Sequence, residues 1–219
     1  MDFFIKEQIA ILKMDDGKAN ALGHHMIEEL MRALEKTEAE AKALLVLGRK
    51  GIFSGGFDLK EIEKGTKEST DLVNKGAHLF YRMFDYPKPI VTGCTGHAMA
   101  AGAFLLLASD FRIGVSGPFR IGLNETAIGM APLPVFGKEL AENRLSRRHL
   151  SAAVIQSQLF SPEESMEAGF LDQVVDPEEL FAVAYEKTRE LGSLPGGAFA
   201  RMKRDLRRAS LKEIKASLK

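Results

Sequence analysis

The sequence predicts an α/β fold. Ala43–Gly48, Pro89–Gly93 and Phe111–Val115 are short, mostly apolar runs of the kind a strand buried on both faces shows. The segments between them carry helical spacing, so strands and helices alternate, which argues for crossover connections in a largely parallel arrangement. Composition agrees: of 219 residues 45% are hydrophobic and 27% charged, the balance of a chain that buries a core rather than staying disordered.

The elements follow in order. Phe3–Met14 holds two apolar patches around Lys6-Glu7-Gln8, with Asp15-Asp16-Gly17 behind them, and reads as two strands in a hairpin. Leu22, Met26, Leu30 and Leu34, widened by Ile27 and Met31, repeat at helical spacing and predict an amphipathic helix to about Ala41. Ser54-Gly55-Gly56 breaks the next pattern, and Asp58–Lys64 begins a helix with Asp58 as its cap. Leu72, His78, Leu79 and Met83 predict another helix, ending before Pro87. Gly96–Ser109, first rich in small residues and then in Leu, predicts a helix deep in the core. Ser161-Pro162-Glu163-Glu164 places Ser, Pro and Glu where a capping box needs them; Asp176-Pro177-Glu178-Glu179 and Ser210-Leu211-Lys212-Glu213 repeat the device. Phe170–Val175 is a further strand, and Leu191–Gly197 the best linker. In the tail, Met202, Leu206, Leu211, Ile214 and Leu218 are expected to face inward and the basic residues outward.

Charge and cysteine content narrow the function. Thirty Lys and Arg balance thirty Asp and Glu, so the basic footprint of nucleic-acid binding is missing. The longest uncharged apolar stretch, Ala98–Ala108, is too short to cross a bilayer, and the acidic start does not resemble a signal peptide. The single Cys94 excludes an internal disulfide and a multi-cysteine metal site. A cytoplasmic protein without a membrane or nucleic-acid partner is expected. The adjacent His24 and His25 do not share a helix face and predict no metal site.

Two stretches can carry chemistry: Phe53-Ser54-Gly55-Gly56-Phe57-Asp58-Leu59 and Gly96-His97-Ala98-Met99-Ala100-Ala101-Gly102. Small residues let a ligand approach the backbone, and the first N–H groups of a helix have no internal partner. Two such donors converging on one oxygen would stabilise an anion. The same residues would equally serve a tight turn and close helix–sheet packing with no ligand. Ser54 has no partner histidine at a recognisable spacing, which leaves a hydrolase triad without support.

Both stretches occur in order within a longer pattern: Asn20-Ala21-Leu22, the two stretches above, Lys88-Pro89-Ile90-Val91, Ala108–Arg112, Asn124-Glu125-Thr126-Ala127-Ile128-Gly129, and Ser161–Glu164 through Val175. Each piece alone is weak; in this register over most of the chain they are specific. The sequence resembles the crotonase, or enoyl-CoA hydratase/isomerase, superfamily. The resemblance implies a ββα spiral core of the ClpP/crotonase type over residues 1–190, and a helical C-terminal segment, short for the family, over 191–219. It implies an acyl-CoA thioester as substrate, with coenzyme A entering as part of it and no separate cofactor. It also implies a homotrimer or hexamer.

Carried over position by position, the resemblance makes the backbone N–H groups of Phe57 and Ala101 an oxyanion hole. Ser54, Gly55, Gly56, Asp58, His97 and Phe104 then fall around the substrate. Two departures matter. The usual run of glycines reads Ala100-Ala101-Gly102, which keeps the donors but adds methyl groups. Hydratases of the family use two glutamates; the first position here is Phe104, and only the second is present, as Glu125. One carboxylate suffices to move a proton beside a thioester, whereas adding water asks for a base and an acid. The expectation is an enoyl-CoA isomerase with Glu125 as acid/base. The alternatives are an enoyl-CoA hydratase and an acyl-CoA-binding protein without turnover.

Overall fold

The computed structural model describes residues 1–130 and 132–219. Strands β1 (Asp2–Lys6) and β2 (Ile9–Lys13) form the expected hairpin, and helix α1 (His24–Glu40) follows. Then come β3 (Ala43–Leu47), β4 (Gly51–Ser54), α2 (Leu59–Ile62) and α3 (Thr66–Phe84). The next group is β5 (Ile90–Cys94), β6 (Gly96–Met99), α4 (Ala101–Ala108), β7 (Phe111–Val115) and β8 (Ile121–Gly122). Helices α5 (Val135–Arg144), α6 (Arg147–Val154) and α7 (Pro162–Ala168), strand β9 (Gln173–Val175), and helices α8 (Leu180–Gly192), α9 (Gly196–Leu206) and α10 (Arg208–Ser217) complete the chain.

The strands divide between two sheets. A six-stranded sheet has the order β1-β2-β3-β5-β7-β9, antiparallel only between β1 and β2. A parallel three-stranded sheet has the order β4-β6-β8. The chain therefore lays one strand in the large sheet and the next in the small one, three times over: β3 then β4, β5 then β6, β7 then β8. This repeated turn is the spiral that the resemblance implied.

The unbroken apolar run of β3 has a direct cause. Ala43, Leu45 and Leu47 face a cluster with Ile9, Ile11, Val91, Ile113 and α8, while Leu44 and Val46 face the main core. With both faces covered, no position is left for a polar side chain. Each such Leu or Val contributes about 1.5–3 kcal/mol by leaving water.

Several expectations are corrected. Gly96–Ser109 is not one helix: Gly96–Met99 pairs as a strand, and Ala100, at φ 49° and ψ −122°, turns the chain into α4. The box at Ser161 forms in full, with Ser161 Oγ accepting from Glu164 N–H and Glu164 accepting from Ser161 N–H. The one read at Asp176 does not cap; α8 starts at Leu180 with no side-chain cap. Ser210 is buried inside α10. His78 is exposed on α3, whose inward face is Leu72, Leu79, Phe80, Met83 and Phe84. The Leu191–Gly197 linker is largely the end of α8 and the start of α9. The strand read at Phe170–Val175 is confined to β9.

The tail also reverses part of its expected orientation. Leu211 and Ile214 are buried, but Met202 is 73% and Leu206 81% exposed. Lys203 and Arg207 point inward instead. Both reach Asp110, with Lys203 Nζ 2.7 Å from Oδ2 and the Arg207 guanidinium 2.8 Å from Oδ1. The Asp110 carboxylate also accepts the Ile90 N–H at 2.9 Å. The Arg207 guanidinium lies 4.3 Å from the Phe84 ring centroid and donates to the Phe84 carbonyl. Nearby, Arg112 forks onto Asp172, tying β7 to the segment that leads into β9.

Candidate active site

The site forms where the ends of β4 and β6 meet. Four contacts define the approach. A Cβ added at Gly102 would lie 2.3 Å from the Ser54 carbonyl oxygen, so the N-terminus of α4 rests against the end of β4. A Cβ at Gly56 would lie 3.0 Å from the Met99 carbonyl oxygen, 3.1 Å from Ala100 Cβ and 3.4 Å from Ala101 N. Gly56 also has φ +98°, a conformation that side chains rarely adopt. The small residues read as either ligand approach or packing thus do at least the second: they bring the Phe57 and Ala101 backbones side by side.

Asn20 braces the first loop from beneath. It is fully buried with φ 49°, and its amide donates to the Met14 and Phe53 carbonyls at 3.0 and 3.1 Å. Ser54 Oγ donates to the Asn20 carbonyl at 2.8 Å. Leu22 pairs with the Gly56–Asp58 segment as a short parallel bridge. Leu22, expected in the first helical stripe, lies ahead of α1 and pairs here instead; the signal for Asn20 is an amide beside a loop that needs its carbonyls satisfied.

The Phe57 and Ala101 N–H groups have no acceptor among the described residues. Ala101 is the first residue of α4, where the helix dipole adds positive potential. Ala100 holds a backbone conformation suited to glycine, a strain of order 1–3 kcal/mol. Two adjacent unpaired donors, one at a helix start, suit an oxygen that gains negative charge.

A cavity of about 410 Å³ opens at this junction. Phe57, Phe104, Ile62 and Val73 line it, and Leu59 and Ile128 stand at exposed positions on its rim. Asn124 and Glu125 line it from the turn that follows β8. Glu125 is the one titratable side chain among the described residues lining the cavity. It is 9% exposed, and its Oε2 is buried without a hydrogen-bond partner. Burial therefore raises the Glu125 carboxyl above the usual carboxylate range.

The remaining candidates separate into those at the cavity and those behind it. Gly55, Phe57, Phe104 and Glu125 line it. Ser54 is buried beneath the loop and Gly56 forms the contact between loops. Asp58 caps α2 by accepting from Lys60 N–H at 3.0 Å. His97 is turned elsewhere: its Nδ1 accepts from Arg120 N–H at 3.0 Å and its ring meets Phe119 edge-on. Cys94 is a buried core residue whose thiol is pushed up to about 12 by burial. Among the described residues no cluster of three potential metal ligands forms, and no helix is long and apolar enough to cross a membrane.

The two-sheet spiral is that of the crotonase class. Residues 5–219 match the family model described as enoyl-CoA hydratase/isomerase, and the chain belongs to that family. An enoyl-CoA hydratase/isomerase family protein from Pseudomonas syringae is 40% identical, with a TM-score of 0.95 over 99% of this chain and 94% of its own. The enoyl-CoA isomerase of Mycobacterium tuberculosis is 37% identical, with a TM-score of 0.93 over 99% and 95%. An enoyl-CoA hydratase from Mycobacterium marinum is 35% identical, again with a TM-score of 0.93 over 99% and 95%.

Proposed function

We propose that this protein shifts a double bond of an enoyl-CoA by proton transfer. The thioester carbonyl oxygen accepts from the N–H groups of Phe57 and Ala101. Glu125 removes a proton from the carbon chain next to the carbonyl, the electron pair moves onto the oxygen, and the two donors stabilise the resulting enolate. Glu125 then returns the proton two carbons further along, and the double bond comes to rest in conjugation with the thioester. Coenzyme A takes part only as the carrier of the acyl group.

The observation that carries this reading is the solitary carboxylate. Phe104 occupies the place where a second acid would hold water, and it is buried in an aromatic cluster. An apolar cavity with one base favours moving a proton over adding water. The direction of the Glu125 shift suits this role, because burial favours the protonated form that Glu125 takes up in mid-reaction.

The test is direct. The protein is incubated with 3-enoyl-CoA and the rise of conjugated-thioester absorbance is followed, in parallel with water addition to 2-enoyl-CoA. Isomerisation that outpaces hydration and disappears in Glu125→Gln supports the proposal. Faster hydration would reassign the site to a hydratase. Acyl-CoA binding without either reaction would make this a binding protein.

A further inference from the structure

Behind the cavity wall lies a group of four phenylalanines. Phe80 stacks on Phe136 with centroids 5.0 Å apart and meets Phe104 edge-on at 5.9 Å; Phe104 meets Phe136 at 5.6 Å, and Phe57 meets Phe80 at 6.4 Å. Phe80, Phe104 and Phe136 are at most 1% exposed. Only Phe57 and Phe104 reach the cavity. Each rests on a helical glycine. A Cβ at Gly76 in α3 would lie 2.5 Å from Phe57 Cζ, and a Cβ at Gly137 in α5 would lie 2.7 Å from Phe104 Cζ. A glycine inside a helix gives up about 1 kcal/mol relative to alanine; here the missing methyl is the space that the ring tip fills.

The rim of the cavity is different. Leu59 on α2 is 56% exposed and Ile128 is 49% exposed, and both line it. The wall beside the proposed donors is thus close-packed aromatic, and the rim carries exposed apolar side chains.

We propose that Phe57 and Phe104 are specificity-determining residues, which reject acyl chains branched near the thioester and turn straight chains outward between Leu59 and Ile128. Gly76 and Gly137 are positioning residues that set how far the two rings stand back from the cavity. The site then takes long, unbranched acyl-CoA thioesters, since a chain that outgrows the cavity continues over the rim. This rests on the acyl-CoA reading above.

The experiment uses saturated acyl-CoAs, so that binding is read without turnover. Straight chains from butanoyl to hexadecanoyl and 4-methyl-branched counterparts are titrated calorimetrically into the wild-type protein, Phe104→Ala, Phe104→Leu, Gly137→Ala and the double variant Gly137→Ala/Phe104→Ala. For wild type, affinity rises with straight-chain length and then levels without falling, and the 4-methyl branch weakens binding about 10-fold or more, the scale of one methyl group against a packed wall. Phe104→Ala or Phe104→Leu brings the branched ligand to within about 3-fold of the straight one. Gly137→Ala pushes the ring forward and weakens both ligands, and removing the ring in the double variant restores them, which a merely destabilising substitution would not do. A branched-to-straight ratio unchanged in folded Phe104 variants, or affinity that falls for long straight chains, overturns the inference. Failure of every acyl-CoA to bind would instead overturn the proposed function.

Discussion

Lys203 Nζ lies 2.7 Å from Asp110 Oδ2, although the two residues are 93 positions apart in sequence and both side chains are buried. This contact fixes the C-terminal helices to the end of α4 and the start of β7. Burial by itself would raise the Asp110 carboxyl, but the Lys203 ammonium and Arg207 guanidinium hold it below the usual carboxylate range. Asp110→Ala leaves two buried cations facing no carboxylate and is expected to cost about 3–5 kcal/mol. Urea unfolding of the variant against wild type measures it.

The same pair predicts a pH dependence. A carboxyl held low in the folded state and near 3.8 in the unfolded chain contributes stability that is fully present above 3.8. That contribution disappears as pH falls through the folded-state value. Wild type should therefore lose unfolding free energy more steeply than Asp110→Asn as pH falls from 3.8 to the folded-state value. Parallel curves for the two proteins would show that the pair adds nothing of the kind.

The proposed function assigns the first donor loop a role through its backbone. Phe57→Ala keeps the N–H and should retain measurable turnover while relaxing acyl selectivity. Phe57→Pro deletes the donor and should lower kcat by about 100-fold or more. Circular dichroism on both variants verifies folding, and equal losses would assign the effect to the phenyl ring.

Glu125 should govern the acid limb of the rate profile. Its carboxylate form is the base, and burial raises the pH at which that form appears. The acid limb of kcat/KM is therefore expected above 4.5, the ordinary value for glutamate. Glu125→Gln should abolish the limb, lower turnover by about 10²–10⁴-fold and leave acyl-CoA affinity nearly unchanged. Exchange of the protons beside the carbonyl in heavy water should stop with it.

Met202 and Leu206 on α9, 73% and 81% exposed, form an apolar pair that a self-associating chain would cover. A trimer or hexamer is expected in solution, and light scattering should give a multiple of 24.1 kDa. Met202→Glu combined with Leu206→Glu should shift the protein toward the single-chain mass if this face is the contact.

Much of the architecture was legible because it depends on local pattern. β7 falls on its predicted bounds, and the Ser161 box forms because all three of its residues act within one turn. What escaped was decided at a distance. The break between β6 and α4 depends on Ala100 accepting an unfavourable backbone conformation, which no periodicity announces. In the tail the hydrophobic pattern does not announce that Asp110, far away in sequence, draws Lys203 and Arg207 into the interior. Within the site, spacing identified the glycine loops, and Glu125 followed from the resemblance. The support from Asn20 and the aromatic layer behind Phe104 exist only once distant segments meet.

The donors at positions 57 and 101 are main-chain groups, and every coded amino acid except proline supplies one. Random substitution there can alter what the pocket admits while leaving its means of stabilising charge intact. The fragile positions are the neighbours that carry no side chain: at Gly102 even a single methyl would lie 2.3 Å from the Ser54 carbonyl oxygen, and at Gly56 it would crowd the Met99 carbonyl at 3.0 Å. In a lineage descending from this chain, substrate preference is free to drift across the aromatic wall, while the proposed enolate chemistry is inherited through two glycines.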